Sequence, residues 1–321
     1  MATTYTHDTL QPATKPTFYF VGVTTGKSSI RRVFPAWAQE LGLGDIEMVG
    51  IDLAVHAPRD HYRRVVEFLK QDPLSLGGLV TTHKIDLYRE AGDLFDSVDP
   101  LAELMGEVSC LAKRDGRLEA SAKDPFSSGH SLDAFIPDGH FASTGAELFI
   151  MGAGGSAIAI DWYLGQSGRG ADRPSRTVVS NRSTPRLTRF QEVHEQAGNE
   201  VPLDIVHTPN PADNDAVLKT LSPGAVVINA TGLGKDAPGS PLTDAAVFPD
   251  GALVWDLNYR GDLIFLDQAR AQETERSLHV EDGWVYFIHG WTQVISEVFQ
   301  IDIPTSGPAF DRLAEIAGAA R

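Results

Sequence analysis

Two residues able to exchange a proton stand just past short apolar runs. Lys84 closes Leu79-Val80-Thr81-Thr82-His83-Lys84, and Asp124 follows Ser121-Ala122-Lys123 at the end of another such run. A carboxylate beside an ammonium holds and orients it, and the ammonium can donate to a substrate oxygen. Brought together by folding, a Lys–Asp pair is therefore a proton-transfer device. By type and position alone, both residues also fit solvated loop positions.

A second constellation belongs to ligand binding. Phe149-Ile150-Met151 runs into Gly152-Ala153-Gly154-Gly155-Ser156-Ala157 and then Ile158-Ala159-Ile160, a G-x-G-x-x-A turn between a strand and a helix. Gly152 allows the tight turn, Gly154 lets the backbone approach a pyrophosphate, and Ala157 permits close helix-on-strand packing. The helix N-terminus offers free N–H groups to the phosphates. The next strand ends in Asn181-Arg182-Ser183, with Arg186 one turn further on and no carboxylate in the stretch. An acidic residue there would accept bonds from the ribose of NAD, whereas Arg182 and Arg186 suit a 2′-phosphate. NADP is the expected cofactor, with NAD possible. Asn229-Ala230-Thr231 follows a third strand and is expected to pass under the nicotinamide ribose and pyrophosphate.

The elements that must position these residues alternate between β-prone runs and helical spacing, the signature of βαβ construction. Strands are expected at 18–23, 47–53, 76–81, 108–114 and 117–122, with helices at 30–41 and 61–70. Further strands follow at 147–151, 177–180, 204–207, 225–229 and 253–256, with helical tails at 286–299 and 304–321. The reading is an α/β chain of two domains with a cleft between them. Residues 1–17 form a flexible tail, and 18–140 form a substrate-binding catalytic domain completed by helices at 286–321. A Rossmann dinucleotide-binding domain spans 141–285.

Composition narrows the function classes. The 321 residues are 42% hydrophobic and 22% charged, which excludes disorder, collagen-like repeats and coiled coil. The net charge of −16 argues against binding a nucleic-acid backbone. A single cysteine, Cys110, leaves no disulfide framework or Cys-rich metal site. No apolar run reaches the length of a membrane span, and the Thr-rich start lacks the character of a signal peptide. A cytoplasmic monomer or homodimer without a metal is expected.

Taken together, these segments resemble the shikimate/quinate dehydrogenase family from Phe18 to about Pro304. The family's early Ser-x-Ser-Pro turn matches Gly22 to Arg31, its Asn-Val-Thr-x-Pro-x-Lys segment resembles Leu79 to Lys84 with one residue missing, and its Asn-Thr-Asp motif resembles Ala122-Lys123-Asp124. The Gly-Ala-Gly-Gly, Asn-Arg-Thr-x-x-Arg and Asn-Ala-Thr motifs match Gly152 to Gly155, Asn181 to Arg186 and Asn229 to Thr231. The resemblance implies NADP-dependent hydride transfer between nicotinamide and a cyclic polyhydroxy acid of the shikimate type, with Lys84 and Asp124 as the catalytic dyad. It implies substrate contacts from Ser28, Thr81, Ser109, Tyr259 and Gln293.

Departures from the family pattern concern the substrate pocket. Ile30 stands where a second serine is expected, Arg31 replaces the proline, Leu79 replaces an asparagine, and Ser109-Cys110 replace an Asn-Thr pair. Each removes a partner that a polyol acid would use. Lys27, Ser29 and Arg31 are left as an alternative anion site. A dehydrogenase for a modified cyclitol, a quinate-like compound or an amino-shikimate is thus a second reading. A ligand- or redox-sensing regulator is a third, opposed by the retained Lys84 and Asp124. The folate-dependent dehydrogenases of similar architecture carry Tyr-x-x-x-Lys; here Tyr62 and Tyr88 are followed at the fourth position by Val66 and Gly92. His83 and His289 are read as pocket-wall or packing residues.

Overall fold

The computed structural model describes residues 3–235 and 237–320. The chain forms two compact units, Met1–Asp124 with Ile288–Arg321, and Pro125–Phe287.

The first unit holds β1 (Thr4–Thr6), β2 (Thr17–Gly22), β3 (Glu47–Asp52), β4 (Ser75–Val80), β5 (Ser97–Val98), β6 (Cys110–Arg114) and β7 (Arg117–Ser121), in the order β1-β3-β2-β4-β6-β7-β5. β2 is buried at every position, as a strand covered on both faces must be. Tyr19 and Val21 join one core with Tyr62, Val65, Val66 and Leu69, whose helical spacing gives Arg59–Gln71 a single apolar face. Phe18 and Phe20 point the other way, against Trp291 of the helix Trp284–Phe299. Within β4, Gly77 sits at φ +100°, where a Cβ would lie 2.0 Å from the Leu111 carbonyl oxygen. The register between β2 and β4 shifts at this point, so the strand that delivers Lys84 carries a bulge only glycine permits.

The second unit is an all-parallel sheet of β8 (Leu148–Met151), β9 (Thr177–Asn181), β10 (Leu203–His207), β11 (Val226–Asn229), β12 (Leu253–Asp256) and β13 (His279–Glu281), in the order β10-β9-β8-β11-β12-β13. Counted from β8 this is 3-2-1-4-5-6, the doubly wound dinucleotide-binding order. The order reverses between β8 and β11, and ligands bind this architecture at that crevice.

Three expectations differ from the structure. Of the expected tail at 1–17, the described residues are not loose throughout, because Thr4–Thr6 add a parallel edge strand, β1, to β3. Arg31 fixes it there, donating to the carbonyls of Met48 (2.8 Å) and Thr3 (2.9 Å) and to Thr4 Oγ1 (3.1 Å). The divide between units falls after Asp124 rather than at 140/141. The cause is the helix Asp124–Phe135, whose Phe126 ring meets Trp162 and whose Gly129 lies under the Tyr163 ring, both on the helix Gly155–Leu164. Finally, β5 and β13 are too short to stand out as apolar runs, at two and three residues.

Candidate active site

The catalytic half lies in the first unit. Lys84 is the first residue of the helix Lys84–Ala91, and its backbone N–H donates to the Thr81 carbonyl (3.0 Å) just past β4. Asp124 likewise heads its helix, just past β7. Lys84 Nζ donates to Asp124 Oδ2, joining two residues forty positions apart. The Lys84 side chain is 21% exposed and that of Asp124 8%, so the ammonium keeps access to solvent while its carboxylate partner is nearly enclosed.

The segment leading to Asp124 is braced. Ser109 is buried, and its hydroxyl oxygen accepts from the Lys123 backbone N–H (2.7 Å). The Lys123 ammonium reaches Glu297 Oε2 (2.9 Å), and Arg114 pairs with the same Glu297. Those two cations hold the Glu297 carboxyl below its usual range, overcoming the opposing effect of burial. The expected substrate residue Ser109 is thus engaged in placing the aspartate. Cys110 beside it is fully buried, and burial pushes its thiol up to about 12.

Of the other expected substrate residues, Thr81 donates its backbone N–H to the Val21 carbonyl (3.0 Å) and stands half-buried beside the dyad in sequence. Ser28 is 8% exposed and closes the turn Thr25–Lys27, its N–H donating to the Thr25 carbonyl (3.1 Å). Asp52 Oδ1 fixes that turn, accepting from the Thr25 N–H (2.8 Å) and hydroxyl (2.6 Å). Gln293 is half-buried on the helix Trp284–Phe299. The alternative anion site does not assemble: Lys27 is exposed, while the Arg31 guanidinium is committed to the β1 edge. His83 is fully buried, its ring between the Tyr62 hydroxyl (3.3 Å) and the Leu53 carbonyl (3.1 Å), and burial lowers its pKa. His289 stacks on Phe310 at 4.4 Å.

Sequence reasoning passed over Glu107. It is 1% exposed, its Oε1 has no hydrogen-bond partner, and the Val108 that follows it donates its N–H to the Lys84 carbonyl (3.2 Å). Burial first, then the negative charge of Asp124, pushes its carboxyl up to about 8, with Lys84 opposing. The only sequence sign was a carboxylate between the helix-ending Gly106 and an apolar strand.

The ligand-binding half lies in the second unit. Gly152 takes φ +113°, and a Cβ there would sit 2.5 Å from the Ala230 carbonyl oxygen. The glycine turn and the Asn229–Thr231 loop thus touch at the β8–β11 crevice. Gly154 has no atom within 4 Å of its would-be Cβ, so its face is open to a ligand, and it caps the helix Gly155–Leu164. From this point a groove of about 580 Å³ runs along Gly152, Ala153, Gly154 and Ser180, past Asn181, Arg182, Ser183 and Arg186, to Ala230 and Thr231. Pro209, Asn210 and Pro241 also line it, and among the described residues no carboxylate does. Arg182 and Arg186 are exposed at one end. An open glycine face at a helix N-terminus, with two arginines lining the same groove, fits a dinucleotide bearing a 2′-phosphate.

The remaining expected cofactor residues support that wall from behind. Ala157 is fully buried, and Ser156 Oγ shares a hydrogen bond with the Tyr286 hydroxyl (3.2 Å). Gly155 begins the helix. Asn229 is fully buried, with its Oδ1 accepting from the Thr231 N–H (3.1 Å) and hydroxyl (2.6 Å). At the end of β12, burial pushes the Asp256 carboxyl up to about 7. Tyr259 stands half-buried between Trp284 (5.1 Å) and Phe287 (5.0 Å). Among the described residues, no cluster of His, Cys, Asp or Glu could hold a metal ion, and no helix is long and apolar enough to cross a membrane.

Known proteins of similar sequence and fold are dehydrogenases. No family model matches the chain. It is 27% identical to the NADP⁺ shikimate dehydrogenase of Streptococcus gordonii over 222 residues, covering 68% of this chain and 72% of that protein. To the enzyme of the same name from Paramagnetospirillum magneticum it is 26% identical over 270 residues, 84% and 87% of the two chains. Among solved structures, quinate dehydrogenase from Corynebacterium glutamicum in complex with NAD superposes with a TM-score of 0.71 at 18% identity, over 95% of this chain and 99% of that one. In sequence the chain is thus similar to NADP⁺ shikimate dehydrogenases, and in fold to a quinate dehydrogenase.

Proposed function

We propose that this protein is an NADP-dependent oxidoreductase of the shikimate dehydrogenase type, interconverting a secondary alcohol and a carbonyl on a cyclic polyhydroxy acid. The observation that carries the reading is the hydrogen bond between Lys84 and Asp124 at the heads of two helices. Its companion is the groove of the second unit, lined by Arg182 and Arg186 and, among the described residues, by no carboxylate. Gly152, Ala153 and Gly154 would hold the pyrophosphate, Arg182 and Arg186 the 2′-phosphate, and Ala230 with Thr231 the nicotinamide ribose. When bound, NADP(H) supplies or accepts the hydride.

Lys84 moves the proton. In the reductive direction its ammonium donates to the carbonyl oxygen as that oxygen gains negative charge; in the oxidative direction the neutral amine takes the hydroxyl proton back. Asp124 holds Lys84 in place and accepts from a neighbouring substrate hydroxyl. Thr81, Gln293 and Tyr259 are the further substrate contacts in this reading, which we place in the cytoplasm as a monomer or homodimer.

A second substrate reading has its own support. Arg31 is spent on β1, Ser28 is buried in its turn and Ser109 is bound to Lys123, so the partners of a substrate carboxylate are depleted. A cyclitol modified at that position is therefore the alternative substrate. One experiment separates the two: the NADPH absorbance change with a panel of cyclic polyol acids, their keto forms and neutral cyclitols. Turnover of shikimate or quinate above the neutral compounds supports the first reading, and the reverse supports the second. No turnover of any of them, with either nucleotide, refutes both.

A further inference from the structure

We propose that Glu107 is the third member of the Lys84–Asp124 pair, a positioning residue whose charge state decides how tightly Lys84 holds its proton. The inference rests on the dehydrogenase reading for its consequence, but its physical content is a cluster of three charges in the first unit. Glu107 is essentially sealed from solvent and its Oε1 finds no donor. A carboxylate buried without partners costs several kcal/mol, and such a group keeps its proton instead. The backbone brings it beside the pair, since the next residue, Val108, donates its N–H to the Lys84 carbonyl (3.2 Å); on its carboxyl Asp124 acts in the same direction as burial, and Lys84 opposes both. They come from the heads of two different helices, while Glu107 comes from the turn before β6.

At neutral pH Glu107 is thus the neutral acid of the cluster. Above about pH 8 Glu107 ionises. Lys84 then faces two negative charges and releases its proton at a higher pH than a simple Lys–Asp pair would. The proton on Lys84 is the one delivered to the carbonyl in reduction, and its absence is what oxidation requires. Because the two directions share one transition state, ionisation of Glu107 carries both pH limbs upward together. The reductase works into the alkaline range, and alcohol oxidation begins later.

The test is Glu107→Gln, which fixes the neutral form without changing shape. In protein labelled with ¹³C at lysine Cε, the Lys84 resonance is assigned by its loss in Lys84→Met and followed against pH in the resting protein. Its midpoint is expected to fall by about one pH unit in Glu107→Gln, the scale of one nearby charge. Glu107→Asp, which keeps the charge, holds it near the wild-type value. The kcat/KM profiles for reduction and oxidation should slide down by the same amount, with KM at pH 6 and NADP affinity unchanged. An unchanged Lys84 midpoint in Glu107→Gln overturns the inference, and so does an equal fall in both variants, which would assign the effect to packing. The resting measurement needs no turnover. A chain inactive on every alcohol yet showing the coupling refutes the dehydrogenase reading alone, and an active chain without it refutes the inference alone.

Discussion

Replacing Glu107 by Gln should also change how stability depends on pH, by an amount that follows from burial. The carboxyl titrates near 4.5 when free and at about 8 in the folded chain. Between those values the folded state keeps a proton that the unfolded state has released, so stability falls as pH rises through that window. The slope is about 1.4 kcal/mol per pH unit. From pH 5.5 to 7.5 the wild type should lose roughly 2.5 kcal/mol relative to Glu107→Gln, and by pH 8 the accumulated cost is roughly 4 kcal/mol. That is a large part of the 5–15 kcal/mol that usually separates folded from unfolded chains. The assay exploits Cys110, the one cysteine, which is fully buried in β6 and unreactive while folded. Urea unfolding of the first unit is read by pulse labelling with dithiodipyridine, which reacts with thiols at acid pH as well. Wild type and variant are compared at pH 5.5, 6.5 and 7.5. The gap in unfolding free energy must widen in favour of Gln with each step. A gap constant across the three values, whatever its size, would falsify the claim that Glu107 is buried with its proton.

Other expectations reach the rest of the site. Lys84→Ala should lower turnover by roughly 10²–10⁴-fold and leave NADP binding by fluorescence titration unchanged, since the described residues that line the groove belong to the second unit; near-wild-type turnover would remove the dyad. Arg182→Ala with Arg186→Ala should erase preference for NADP over NAD, because each charge-assisted bond to the 2′-phosphate is worth roughly 1.5–3 kcal/mol; a wild type that already prefers NAD would contradict the assignment. Gly152→Ala should abolish nucleotide binding and cost roughly 1–3 kcal/mol from its backbone angle alone, with the clash against Ala230 added; retained affinity by calorimetry would argue against the crevice. Arg31→Met should free the amides of 3–6 to exchange rapidly while leaving NADP affinity intact; protection retained there would show that β1 does not depend on the guanidinium.

The second unit was the more legible half because its function constrains backbone. A strand, a turn with a left-handed glycine and a helix N-terminus permit few residue types, so Gly152 to Ala157 announced both the fold and the ligand. Lys84 and Asp124 were legible for a related reason: each stands where an apolar run stops and a helix starts. What escaped was set by distant contacts. β1 is polar and three residues long, and it exists because an arginine twenty-seven positions later bonds to it. That same bonding removed Arg31 from the anion site its position suggested. Glu107 looked like any surface glutamate, since nothing local says that a chain will close over it. Ser109 was expected to face a substrate and instead binds the backbone beside Asp124, a use that only the β6–β7 pairing could reveal.

The first unit is also discontinuous, and this bears on the order in which the protein can be made. Trp291 and Phe299 cover Phe18 on β2, Trp37 donates to the Leu313 carbonyl (2.9 Å), and Arg32 grips the Ala320 carbonyl. Once everything up to Phe287 has emerged from the ribosome, the second unit is therefore complete while the first is still open along one face. Folding on the ribosome must run against the usual N-terminal-first sequence. The exposed Phe18–Phe20 face of the nascent chain is then the natural place for a chaperone to hold, until the last helices arrive to take its place.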